Sequence, residues 1–176
     1  MAHVATLSDI ECVSKIKILG ITITNHLSVT EHVHQVISKS AQTMHALKVV
    51  RSHGMNCEAL RAEYKAVVIA RLTHTAPAWR GFTSADDRKR LEAFIQRTVR
   101  LGLDKDDEPT LTQLVDRLED SLFRVIMCHD DHVTYHLLPP VVSNTYNLRQ
   151  RRHQRQLTVK SDERNCVIRK LHQDTH

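Results

Sequence analysis

Hydrophobic positions along the chain fall into two rhythms. Residues 16–24, "IKILGITIT", alternate Ile16, Ile18, Ile21 and Ile23 with polar neighbours, which is the period of a strand. Leu19 and Gly20 interrupt the alternation in its middle. From Leu27 onward the spacing becomes helical. Val33, Val36, Ile37, Met44, Leu47 and Val50 recur at three- and four-residue steps. Ser28 and Glu31 have the S-x-x-E spacing of a capping box, and Gly54 in "RSHG" marks the stop. A second helix is predicted from the N-cap Asn56, with Leu60, Tyr64, Val67, Val68 and Leu72 inward. Its "AVVIARL" is apolar nearly all round, which predicts the most buried helix, and Pro77 ends or kinks it. Trp79 and Phe82 follow at a corner of the core.

A third helix opens at Ser84 and Asp87 and closes at Gly102, with Leu91, Phe94, Ile95, Thr98 and Leu101 on one face. After the polar linker "LDKDDEP", a fourth stretch from Thr110 to about Cys128 carries Leu111, Leu114, Val115, Leu118, Leu122, Val125 and Ile126, as one helix or two shorter ones. Periodicity weakens beyond Leu137–Pro140. The expected architecture is mainly α: a bundle of about four helices (28–140), preceded by a short β-hairpin or strand (1–27) and followed by an irregular basic tail (141–176). Only four glycines and four prolines in 176 residues agree with a helical chain.

Charge changes the picture in one place. Residues 147–176 hold eight Lys/Arg against three Asp/Glu, so the whole net charge of +5 lies there, and the remaining chain balances at 17 of each sign. A segment of that kind favours polyanions, nucleic acid first, or is simply solvated. The third helix adds a second basic feature. At 100° per residue from Leu91, Lys89, Arg90, Gln96, Arg97 and Arg100 fall between about 140° and 260°, opposite the apolar face. They form either an ordinary solvated face or a phosphate-contacting stripe. Aromatics at 4% are too few for binding dominated by base stacking.

Other chemistry is poorly supported. Cys128, His129, His132 and His136 are the densest group of metal-ligand residue types, but they lack an H-E-x-x-H base and finger spacing. No metal or cofactor is expected. The acidic pairs Asp86-Asp87, Asp106-Asp107, Glu119-Asp120 and Asp130-Asp131 lie at predicted helix starts, inside helices or in linkers. None follows an apolar strand, where two-metal phosphoryl transfer needs its carboxylates. Four scattered cysteines without a CxxC pair, no leader-like N-terminus and no long apolar run point to a cytoplasmic or nuclear protein, neither secreted nor membrane-spanning.

The segments "IKILGITI" and "LSVTEHVHQVISKSAQTMHALKVVRSHGM" resemble the end of the palm and the start of the thumb in non-LTR (LINE-type) retrotransposon reverse transcriptases. The similarity continues through "ALRAEYKAVVIARLTHTAPAW", "ADDRKRLEAFIQRTVRLGL", "HVTYHLLPP" and "YNLRQRRHQRQL", covering roughly residues 10–170, in elements of the kind labelled tick transposon. The resemblance implies that Leu19 and Gly20 sit in a primer-grip turn and that the following helices are thumb-like. It also implies that the fingers, most of the palm and the catalytic aspartates would be encoded ahead of Met1. The expected function is thus a non-catalytic C-terminal part of an RNA-directed DNA polymerase with residual sequence-independent nucleic-acid affinity. The expected contacts are Lys89, Arg90, Arg97, Arg100, Arg149, Arg151, Arg152 and Arg155. Two other readings stand beside it: a helical interaction or scaffold domain whose basic tail is incidental, and a metal-dependent nuclease using the histidines.

Overall fold

The computed structural model describes residues 13–103, 108–141, 155–156 and 164–173. Its architecture is mainly helical with a two-stranded antiparallel hairpin at the start. The alternating run forms both strands of that hairpin rather than one strand. β1 (Lys15–Ile18) pairs with β2 (Ile21–Thr24), Ile16 opposite Ile23 and Ile18 opposite Ile21. Leu19 (φ 49°) and Gly20 (φ 87°) form the two-residue loop. Both central residues of a tight hairpin turn with the twist of its strands need positive φ, which Gly tolerates and Leu does not favour. β2 faces the helical core through Ile21 and Ile23, and Thr22 is also buried, while every residue of β1 is exposed.

Helix α1 (Thr30–Ser52) begins without the expected capping box. Its N-cap is Val29, fully buried, so Ser28 lies one position too early to cap N3. The Ser28 hydroxyl instead accepts from the Thr30 amide at 3.3 Å, and Glu31 pairs with Lys15. Val33, Val36, Met44 and Leu47 are buried as expected, but Val50 is exposed in the last turn, ahead of Gly54 with φ 91°.

α2 (Cys57–Glu63) is capped by Asn56 through the Glu58 amide at 3.0 Å. It continues through a π-helical segment (Tyr64–Ile69) into α3 (Ala70–Thr73). Leu60, Tyr64, Val68 and Leu72 are essentially inaccessible. Their four-residue spacing would drift by about 120° round a regular α-helix over twelve residues. One extra residue taken up by the wider π turns removes about 100° of that drift, which keeps all four on the core face. The expectation of a helix buried all round is corrected here. Glu63, Lys65, Ala66 and Ala70 are exposed, and Val67 is only half-buried.

The chain then turns at Thr75 (φ 51°), two residues ahead of Pro77, which occupies the first turn of α4 (Ala76–Trp79), where proline is tolerated. The Trp79 indole donates to the His74 carbonyl at 3.0 Å, and a 3₁₀ turn (Arg80–Phe82) leads out. α5 (Ala85–Arg100) opens at Ser84 and Asp87 as expected, and the two form a capping box. Asp87 also accepts from the Thr30 hydroxyl at 2.8 Å, tying the starts of α5 and α1 together. At the other ends, Arg51 donates to the Leu101 carbonyl at 2.6 Å, so the two helices run parallel.

α6 (Leu111–Cys128) is one unbroken helix with a Thr110–Gln113 capping box. Its first half joins the main core through Leu111 and Val115, and its second half joins a smaller cluster through Phe123 and Ile126. That cluster is completed by Leu138 and by Val167 and Leu171 of α7 (Cys166–Gln173). The expectation of an irregular tail throughout 141–176 is therefore corrected for 166–173. Val167, Lys170 and Leu171, at i, i+3 and i+4, give that helix a short buried face. Among the described residues, no helix is long and apolar enough to cross a membrane.

Candidate nucleic-acid interface

α5 is strongly two-faced. Leu91, Phe94, Ile95 and Thr98 are buried. The Thr98 hydroxyl donates to the Ile95 carbonyl at 2.7 Å and so accepts from Tyr64, 2.8 Å away inside the core. These contacts fix the rotation of α5 and turn Lys89, Arg97 and Arg100 outward, where all three are exposed. Among the described residues no carboxylate pairs with any of them, which leaves their charges available to a polyanion. Arg90 is also exposed, but its guanidinium is engaged with His34 of α1. It marks the edge of the stripe rather than its middle.

The remaining expected contacts separate. Arg155 is half-buried, stacks on the Tyr135 ring at 5.0 Å and donates to the Pro139 carbonyl at 2.9 Å. It serves the fold at the foot of the smaller cluster, a correction to its expected place in a free basic tail. Arg149, Arg151 and Arg152 lie outside the described residues. Leu19 and Gly20 do form a turn, at the exposed tip of the hairpin, with Leu19 83% accessible.

Sequence reasoning missed a second charged cluster. Glu119 is fully buried on α6, where the apolar period gave no sign of it. It is held by Arg169 of α7 and by Arg80, which also bonds Asp116. Lys170, nearly inaccessible, reaches Asp120 at 2.8 Å. The acids fall at 116, 119 and 120, one helical face, and this is the only signal the sequence offered. Cys166, in the same region, has its pKa raised to about 11 by burial and by the charge of Glu119. Gly81 fits beneath this helix because a Cβ there would lie 2.0 Å from the Arg164 carbonyl oxygen.

Among the described residues, no three His, Cys, Asp or Glu side chains gather as metal ligands. β1 and β2 carry no acidic residue. No family model, no curated protein and no solved structure matches the chain.

Proposed function

We propose that the chain is a nucleic-acid-binding helical region corresponding to the end of the palm, the thumb and the following helices of a non-LTR retrotransposon reverse transcriptase, non-catalytic by itself. The observation that carries the binding half is the outer face of α5. Lys89, Arg97 and Arg100 are exposed and unpaired among the described residues, on a helix whose opposite face is locked into the core. Phosphate contacts of this kind bind without reading sequence. The order of hairpin, long helix, broken second helix and basic third helix supports the ancestry half.

The test replaces Lys89, Arg97 and Arg100 by Gln. The fold is expected to survive, since none of the three is buried. Duplex affinity is expected to fall about equally for any sequence, and the slope of log affinity against log salt should flatten by about 0.9 per lost contact on B-DNA. Arg149, Arg151 and Arg152 changed to Gln provide the comparison. Removing everything after Pro140 would not, because it would strip α7 from the second cluster. If the tail change abolishes binding and the α5 change does nothing, the stripe is only a solvated face. Template-dependent nucleotide incorporation by the pure protein would overturn the non-catalytic half.

One observation favours the scaffold reading. Leu118 and Val125 of α6, seven residues apart on one face, are 40% and 41% accessible. A chain that binds no duplex at low salt but associates through that face would be an interaction domain.

A further inference from the structure

On the flank of α1 away from α5 lies a cleft of about 390 Å³, bounded by the hairpin, α1 and the segment from Ala66 to His74. Five basic side chains line it: Lys17 from β1, His32 and Lys39 from α1, and Arg71 and His74 from α3 and its exit. No acidic residue is among its lining. Val36 and Val67 give it an apolar floor. That size is within the range of small-molecule sites, which pair an apolar surface with a few placed polar groups.

Like charges brought together from separate elements raise each other's cost unless an anion answers them. Three other lysines are answered by carboxylates, Lys15 by Glu31, Lys65 by Glu108 and Lys170 by Asp120, while Lys48 and Lys89 stand apart on the surface rather than converging with other cations on a cleft. Lys17 and Lys39 have no such carboxylate among the described residues. Arg71 is steadied by donating to the Thr43 hydroxyl at 3.1 Å. The convergence is also felt by His32, whose pKa is pushed down by burial and then by the nearby charges of His74 and Lys17.

We infer that this cleft binds a phosphate-bearing ligand of about mononucleotide size, with the phosphate held by Lys17, Lys39 and Arg71 and the organic body against Val36 and Val67. The site is separate from the α5 stripe and does not rest on it. His34, about 200° round the helix from His32, reaches Arg90 on the opposite flank.

The molecule carries its own reporter. Trp79, the single tryptophan, meets the His32 ring edge-on with centroids 5.5 Å apart. The full chain would be titrated at low salt with adenosine 5′-monophosphate, adenosine, inorganic phosphate, and one short single strand with and without a 5′-phosphate. Tryptophan fluorescence and calorimetry would follow binding. The monophosphate is expected to bind one to one, and adenosine to fail. The Lys17→Gln/Lys39→Gln double variant should bind it at least about tenfold more weakly, a loss of about 1.4 kcal/mol. Both lysines are exposed, so circular dichroism should be unchanged. The Lys89→Gln/Arg97→Gln/Arg100→Gln variant should bind the monophosphate like the wild type. Tighter binding of the 5′-phosphorylated strand than of its unphosphorylated twin would assign the phosphate to a strand end. Equal binding of the twins beside a tight monophosphate would assign it to a free nucleotide. Absence of monophosphate and phosphate binding at millimolar concentration, or unchanged affinity in the lysine variant, would overturn the site.

Discussion

At the scale of single residues, the helix from Cys57 to Thr73 shows how narrowly position decides burial. Leu72 is inaccessible, while Val67, equally apolar, lies half-buried at the wall of the basic cleft. Leu72→Ala leaves a cavity in a packed core and should cost about 2–5 kcal/mol. Val67→Ala removes atoms that water already reaches, so less than about 1 kcal/mol is expected. Urea denaturation of the two variants side by side checks the contrast, and equal losses would mean that the π-helical segment does not set the helix as described. Tyr64 makes the same point with a polar atom. Its ring lies in the core with the hydroxyl 2.8 Å from Thr98, and such a contact offsets the cost of burying a polar atom.

At the scale of elements, the docking of α7 depends on features that act together. Gly81 lets the Arg164 backbone approach, and the Glu119 carboxylate receives Arg169. A buried carboxylate is tolerated only while its cations stay, and losing one partner of such a pair costs about 3–5 kcal/mol. Gly81→Ala places a Cβ against backbone, which cannot move aside as a flexible side chain can. The expected result is displacement of residues 164–173 with the main core intact. Cys166 reports it. With its pKa near 11, the half-buried thiol should be alkylated slowly at pH 8, well after the exposed Cys57 and Cys128. In Gly81→Ala its rate should rise toward theirs, as followed by mass spectrometry of the labelled peptides. An unchanged rate would show that the close approach at Gly81 does not hold the helix.

At the scale of the whole molecule, two buried titratable groups give stability a definite pH dependence. Burial, then His74 and Lys17, lowers the His32 pKa in the fold. The unfolded chain therefore binds the extra proton first, and stability should fall as pH drops through the ordinary histidine value of about 6.5. Burial alone would raise the Asp87 pKa, but hydrogen bonds from Ser84 and Thr30 outweigh it and hold it below the usual carboxylate range. Stability from that junction should be full above the ordinary value of about 4 and be lost as pH falls through the lower folded pKa. Urea midpoints at pH 7.5, 5.5 and 3 should therefore descend in two steps. His32→Gln should remove part of the first step and none of the second. A first step unaltered by that variant would assign it to other histidines.

The sequence by itself determined the elements whose signals are local. The capping box at Ser84–Asp87, the Asn56 cap, the glycine stops at 54 and 102 and the inward face of α5 all depend on residues within one or two turns of each other. The two-faced character of α5, and so the candidate stripe of Lys89, Arg97 and Arg100, was legible for the same reason. Tertiary structure alone decided the rest. Whether Ser28 capped α1 depended on Val29 sinking into the core, and whether Arg155 stayed free depended on Tyr135 and Pro139. Glu119 broke no local rule until Arg80 and Arg169 converged on it from two other elements. The basic cleft joins one face of α1, one face of the segment 66–74 and Lys17 of the hairpin, and no period along the chain says that these three meet. Hydrogen bonds within a turn follow from neighbours in sequence, whereas charge clusters and clefts are made by contacts between elements, whose partners become neighbours only when the chain folds.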